Sequence, residues 1–193
     1  GIVLDKFMES IIVSDINYND LLLGDKNGLM IAARILAYGP EYQVKVKCPA
    51  CQFDNTVTIN LAELKAKEID FNKDNKGKNE FEFELPISKR KITFKILTHL
   101  DEADVRAEVT RMQKMLKGKS ERQLSTRMKH VITSVDGETD KLKIGNFVEN
   151  ELLSQDSLAI RTELSRVSPD IDMTFDFMCE SCQTQIKNKN RQL

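Results

Sequence analysis

Two Cys-x-x-Cys pairs constrain this chain more than any other feature. They read Cys48-Pro49-Ala50-Cys51 and Cys179-Glu180-Ser181-Cys182, and they hold all 4 of its cysteines. Each pair sets two thiols close together at a tight turn, which is half of a tetrahedral metal site. Two such turns complete a closed four-sulfur zinc shell. The pairs stand far apart in sequence, so one ion shared by Cys48, Cys51, Cys179 and Cys182 would tie the first quarter of the chain to its end. Two separate disulfides are the main alternative, but a Cys-x-x-Cys disulfide closes only a small, strained loop. A redox pair is a weaker one, since a thioredoxin-like site needs a single motif in a βαβ setting. Catalytic zinc keeps an open position, usually with a His or carboxylate ligand, whereas four thiolates fill the shell. The ion is expected to be structural.

The flanking residues suit such turns. Tyr42, Val44 and Val46 alternate with Gln43, Lys45 and Lys47 into the first pair, and 53–59 reads as a returning strand. Met173, Phe175 and Phe177 alternate into the second pair, and Gln183 to Lys187 leaves it. Strand, knuckle, strand is the hairpin of a zinc ribbon. Another hairpin is expected from Phe81, Phe83 and Leu85, a turn near 86–89, and Ile92, Phe94 and Ile96, with one wet face.

Helical periods fill much of the rest. A short helix near 4–10 precedes a loop. Leu29, Ala32, Ala33 and Leu36 predict an amphipathic helix over 26–38, stopped by Gly39-Pro40. Residues 61–67 suit one or two helical turns, and the polar run from Asn72 to Asn79 reads as an exposed loop tip. Thr98 and Asp101 form a capping-box variant ahead of Val105, Val109, Met112 and Leu116, a stripe that Gly118 ends. Ser120 and Gln123 match the stricter box. Behind them Leu124, Met128, Val131, Ile132 and Val135 predict one further helix running to Asp136-Gly137. The very short link between these two helices predicts an antiparallel pair. Helices are also expected over 147–153, capped by Asn146, and over 158–167, capped by Ser154 or Asp156 and stopped by Ser168-Pro169. Residues 188–193 read as a polar tail.

The fold class that follows is α+β, with zinc-ribbon-like β-hairpins joined to a mainly helical portion. Residues 1–41 form an N-terminal helical segment, 42–97 with 171–193 a β-rich portion, and 98–170 a helical portion, together expected as one compact unit. A chain of 193 residues suffices for one core, or one core with a small satellite. The start at Gly1 rather than Met is expected of a processed chain or of part of a longer protein.

Catalysis has little material here. The chain has no Trp and 2 His. His99 falls in a helix cap, and His130, beside Lys129, falls on the outer side of a helix. No serine lies in a nucleophile elbow, and no glycine cluster resembles a phosphate cradle. A formal net charge of −1 favours neither nucleic acid nor a membrane surface. No apolar run approaches the ~20 residues of a membrane span, and no signal peptide is visible, which together with four cysteines points to a reducing compartment. The triplet Lys89, Arg90 and Lys91 reads as a solvated hairpin tip, and the mixed charges of 101–117 as an exposed helix. A nucleic-acid-binding ribbon would carry a basic face with exposed aromatics. Here Phe81, Phe83, Phe94, Phe175 and Phe177 alternate as core residues do.

Three stretches carry a resemblance: Leu21-Leu22-Leu23-Gly24-Asp25-Lys26, then Ala33 to Tyr42, then Cys48-Pro49-Ala50-Cys51. Leu97-Thr98 with its acidic helix start and Phe177-Met178-Cys179-Glu180-Ser181-Cys182 add to it. Together they resemble the baseplate hub and tail-assembly proteins of T-even-type contractile-tail bacteriophages, over most of the chain. The resemblance implies a non-enzymatic structural or assembly protein of the virion tail baseplate. Such a protein is built in the host cytoplasm and works through other baseplate or tail proteins, with no small-molecule substrate and no membrane. Its zinc ligands carry over as Cys48, Cys51, Cys179 and Cys182. A zinc-ribbon nucleic-acid-binding factor is the alternative, which salt-dependent retention on DNA would favour.

Overall fold

These patterns are realised as an α+β arrangement in the computed structural model, which describes residues 2–69, 77–115 and 123–188. The order begins α1 (Ile2–Ile11), α2 (Leu23–Tyr38), β1 (Glu41–Lys47), β2 (Asp54–Asn60) and β3 (Lys65–Ala66). It continues β4 (Phe81–Glu84), β5 (Lys91–Phe94), α3 (His99–Met115), α4 (Gln123–Val131) and β6 (Ile132–Val135). It closes with α5 (Lys141–Asn146), α6 (Ser154–Val167), β7 (Ile171–Asp172), β8 (Phe175–Met178) and β9 (Gln185–Asn188). The chain divides into two units, one of 1–14, 24–68 and 169–193, the other of 15–23 and 69–168. This division places the hairpin of 81–94 with the helices, because its apolar face shares their core.

The first unit contains both knuckles. β1 and β2 pair antiparallel with Tyr42 opposite Ile59, Val44 opposite Val57 and Val46 opposite Asn55. Val46 and Ile59 are buried while Lys45, Lys47, Thr56 and Thr58 face water, the alternation expected of a half-buried hairpin. β8 and β9 form a second antiparallel hairpin, with Phe177 opposite Ile186. One 3-10 turn occupies 61–63, and 65–66 is strand rather than a second helical turn, since β3 pairs with β7. A hydrogen bond from the Lys67 N–H to the Asp170 carbonyl, 2.8 Å, continues that pairing. The two ends of the long intervening segment are thereby held together.

α2 begins at Leu23, earlier than predicted, and ends where Gly39 takes φ +83° and donates to the Ile35 carbonyl at 2.8 Å. Its predicted apolar stripe is not its contact face. Ala32 and Leu36 are exposed. Contact runs instead through Gly24, Asn27 and Gly28. A Cβ at Gly24 would stand 1.8 Å from the Pro169 oxygen, Asn27 Nδ2 donates to Asp170 Oδ1 at 3.0 Å, and Gly28 faces Ile171. Gly24 lets backbone approach backbone, which a count of hydrophobic residues does not register.

The second unit is built on the sheet β4-β5-β6. Phe81 pairs with Phe94 and Phe83 with Ile92, and the Phe81 and Phe94 rings stack at 5.4 Å. Leu85, Ile92, Phe94, Met128, Val131 and Ile160 lie fully or almost fully buried in one cluster. Each such side chain contributes about 1.5–3 kcal/mol relative to exposure. The helix predicted through Val135 stops at Val131, and Ile132–Val135 is strand β6, paired with β5. Met128, Val131, Ile132 and Val135 are buried, so the spacing satisfies a helical period. The β-branched Ile132, Thr133 and Val135 suit a strand, and the open edge of β5 supplies backbone partners.

α3 starts on the expected cap. The Thr98 N–H donates to Asp101 Oδ2 at 3.1 Å, and the Asp101 N–H returns to Thr98 Oγ1 at 3.3 Å. α4 lies along α3 with Thr126 at Met112 and His130 at Glu108, an antiparallel order. His130 is therefore turned toward α3, with Nε2 2.9 Å from Glu108 Oε2, rather than outward. Leu21 accepts from the His99 N–H at 2.9 Å, and Tyr18 packs its ring 4.6 Å from that of His99.

Three other expectations are corrected. The helix placed at 147–153 is α5 followed by a π-turn over Phe147–Glu151. It is capped by Asp140, whose side chain accepts from the N–H groups of Leu142 and Lys143, and not by Asn146. α6 starts at Ser154 without a side-chain cap. Asp156, fully buried, instead accepts from the N–H groups of Ile87 (2.9 Å) and Ser88 (3.1 Å) at the β4–β5 turn. Arg90 is no solvated tip either: it pairs with Asp136 and Glu151 and lies over the Phe147 ring. Leu116, Gly118, the Ser120 cap, residues 72–76 of the polar run and 189–193 of the tail lie outside the described residues.

Candidate metal centre

β1 delivers Cys48 and β8 delivers Cys179, each into a turn of the same construction. The Cys48 N–H donates to the Phe53 carbonyl at 2.9 Å, and the Gln52 N–H donates back to the Cys48 carbonyl at 2.9 Å. In the second turn the Cys179 N–H meets the Thr184 carbonyl at 3.0 Å and the Gln183 N–H meets the Cys179 carbonyl at 2.9 Å. Gln52 (φ 62°) and Gln183 (φ 55°) both adopt the left-handed region. A non-glycine residue there costs on the order of 1–3 kcal/mol and persists where surrounding structure demands it. The demand is a chain reversal that sends each knuckle back into its returning strand. The repeated unit is thus Cys-x-x-Cys-Gln. The shared glutamine extends the repeat by one residue beyond the cysteines.

The four sulfurs converge. Cys48 Sγ lies 3.7 Å from Cys182 Sγ, Cys51 Sγ lies 3.6 Å from Cys179 Sγ, and all four stand within 4.8 Å of one another. A tetrahedron with metal–sulfur bonds of ~2.3 Å has edges of roughly 3.8 Å, so the spacing fits a four-thiolate ion. All four are free thiols. Both close pairs join one knuckle to the other, across sequence separations of 134 and 128 residues. Cys48 and Cys179 are buried, whereas Cys51 and Cys182 are exposed, which leaves the cluster an open side for entry of an ion.

The electrostatics favour thiolate on the second knuckle. The Cys179 thiol is held down at about 6, first by the Cys182 N–H and then by the Ser181 N–H, against the opposing effect of burial. Cys182 is lowered by the hydroxyl and N–H of Thr184. Cys51 is pushed up to about 11. The Phe53 N–H acts to lower it, but local desolvation and the three neighbouring thiols outweigh that donor. Thiolate is the metal-binding form, so these donors favour a second knuckle that could ligate a metal.

Behind the sulfurs, Asn55 is a buried amide that joins the knuckles through the Glu180 N–H at 2.9 Å. Nothing in residue type or spacing singled it out. No helix among the described residues is long and apolar enough to cross a membrane.

A family model described as T4 bacteriophage base plate protein matches residues 3–191. No curated protein and no solved structure matches the chain.

Proposed function

Because the chain belongs to the T4 bacteriophage base plate protein family, we propose that it acts in the tail baseplate as a non-enzymatic assembly part, held in shape by one zinc ion on Cys48, Cys51, Cys179 and Cys182. As a member of that family it is a structural component of the phage baseplate, with its place in the virion tail. The observation that carries the zinc assignment is the convergence of four thiols from opposite ends of the sequence at tetrahedral spacing. An all-sulfur tetrahedral set suits zinc. A bound ion would supply a cross-link and no reactive position, because four thiolates close its shell.

The remaining work falls to surfaces. Val13, Leu36, Leu142 and Tyr38 each stay at least 78% exposed. A protein embedded among other baseplate and tail proteins has neighbours to cover such side chains. Assembly takes place in the host cytoplasm, where thiols stay reduced and available to zinc.

The test is co-purification from infected cells with a tagged chain. Salt-insensitive recovery of other baseplate proteins is expected, since apolar contact resists screening. Recovery of DNA alone, lost steeply with added salt, would overturn the reading in favour of a nucleic-acid-binding ribbon.

A further inference from the structure

Asn55 stands opposite Val46 in the first hairpin, at a position where the strand would otherwise bury an apolar side chain. It is 1% exposed, and an amide in such a place is costly unless its groups are paired. All of its groups find partners. Nδ2 donates to the Phe53 carbonyl at 3.1 Å and the Val46 carbonyl at 3.5 Å, which fixes the side chain against its own hairpin. Oδ1 accepts from the Glu180 N–H at 2.9 Å, 125 residues away and between the two cysteines of the other knuckle.

We propose that Asn55 is the positioning residue of the metal centre: it docks the second knuckle onto the first and presets the four sulfurs before any ion arrives. This rests on the zinc reading above for its role, though the docking itself requires no metal. The geometry explains why an amide is needed. A donor pair must grip the first knuckle while an acceptor reaches the second, and an Asn side chain carries both at one branch point. Groups that orient metal ligands from outside the first shell commonly govern affinity by 10–100-fold. Here the group orients a whole knuckle, because the Glu180 N–H lies in the backbone that carries Cys179 and Cys182.

The test uses the full chain, reduced and stripped with chelator, as wild type, Asn55→Leu and Asn55→Asp. Amide exchange in the metal-free chain reads the docking. The Glu180 N–H should be protected in wild type, unprotected in Asn55→Leu, and only partly protected in Asn55→Asp, which keeps the accepting oxygen but loses the donor that grips the first hairpin. Cobalt(II) titration reads the site through its thiolate charge-transfer bands. Wild type should bind one equivalent, and Asn55→Leu should bind 10–100-fold more weakly with the same bands at saturation. A folded Asn55→Leu with wild-type affinity and a protected Glu180 amide overturns the proposal. Should Asn55→Leu fail to fold, a folded Asn55→Asp with wild-type Glu180 protection and wild-type cobalt affinity does the same, since it lacks the donor. Absence of cobalt bands in wild type overturns the zinc reading instead, while the exchange arm still decides the docking.

Discussion

The Arg90 guanidinium carbon lies 4.9 Å from the centre of the Phe147 ring, so a cation from a hairpin turn covers an aromatic at the start of a π-turn. Asp136 and Glu151, each at 2.7 Å, hold the guanidinium there. Arg90→Ala removes a cation–π contact and two partly exposed ion pairs, and should cost about 1–2 kcal/mol. Arg90 and Asp136 are linked in pH as well. The Arg90 guanidinium, with the Lys91 N–H, holds the Asp136 carboxyl below its ordinary value. A lowered folded-state pKa contributes stability that is present above the unfolded pKa and is lost as pH falls through the folded one. The difference between wild type and Arg90→Ala in thermal unfolding should therefore shrink in acid. A constant difference from neutral to strongly acidic pH would contradict this.

Asp156 offers a sharper case because it is fully buried. Burial alone would raise its pKa, but the N–H groups of Ile87 and Ser88 outweigh it and hold the carboxyl below the ordinary range. Asp156→Ala leaves two part-buried backbone donors without their acceptor and should cost about 1–3 kcal/mol in chemical denaturation. Its deficit too should fade as pH falls below the ordinary carboxylate range, for the same reason of sign. A loss under 1 kcal/mol at neutral pH would contradict the role assigned to it.

Gly24 and Gly28 lie one turn apart on α2 and should answer the same substitution oppositely. A Cβ at Gly24 meets the Pro169 oxygen at 1.8 Å, and that oxygen is backbone. Gly24→Ala should destabilise by about 1–3 kcal/mol or more. At Gly28 the nearest atom is a side-chain carbon of Ile171 at 3.7 Å, an ordinary contact. Gly28→Ala should stabilise by about 0.5–1 kcal/mol through helix propensity. Equal responses in urea unfolding would remove the close-approach account of α2.

How much of this was legible beforehand depended on the range of the signal. The knuckles, β1 with β2, β4 with β5, and the Thr98–Asp101 cap are local patterns, and the sequence carries each within a few residues. Ile132–Val135 misleads because its burial suits a helical period, and its β-branched residues decide for strand only with the open edge of β5 as partner. Leu36 misleads because Gly24, where the helix backbone closes on Pro169, sets the contact face of α2. Arg90, Asp156 and Asn55 owe their roles to partners 46 or more residues away, and residue type alone does not name a distant partner. For the site, the four cysteines announce themselves by residue type and spacing, whereas the paired glutamines matter through a backbone conformation that residue type does not signal.

Cys179→Ser should disturb both knuckles. The sulfur of Cys179 lies 3.6 Å from that of Cys51, so its loss opens a shared shell. Amide exchange of the zinc-loaded protein should show 42–59 and 175–188 losing protection together, while 105–115 and 123–135 lose less. A response confined to residues near 179 would mean that the knuckles share no ion.

Metal content tests the central claim most directly. Protein purified under reducing conditions without chelator should contain one zinc per chain by elemental analysis, and its four thiols should resist alkylation until chelator is added. Folded protein with zinc near zero and four freely reactive thiols would contradict the account.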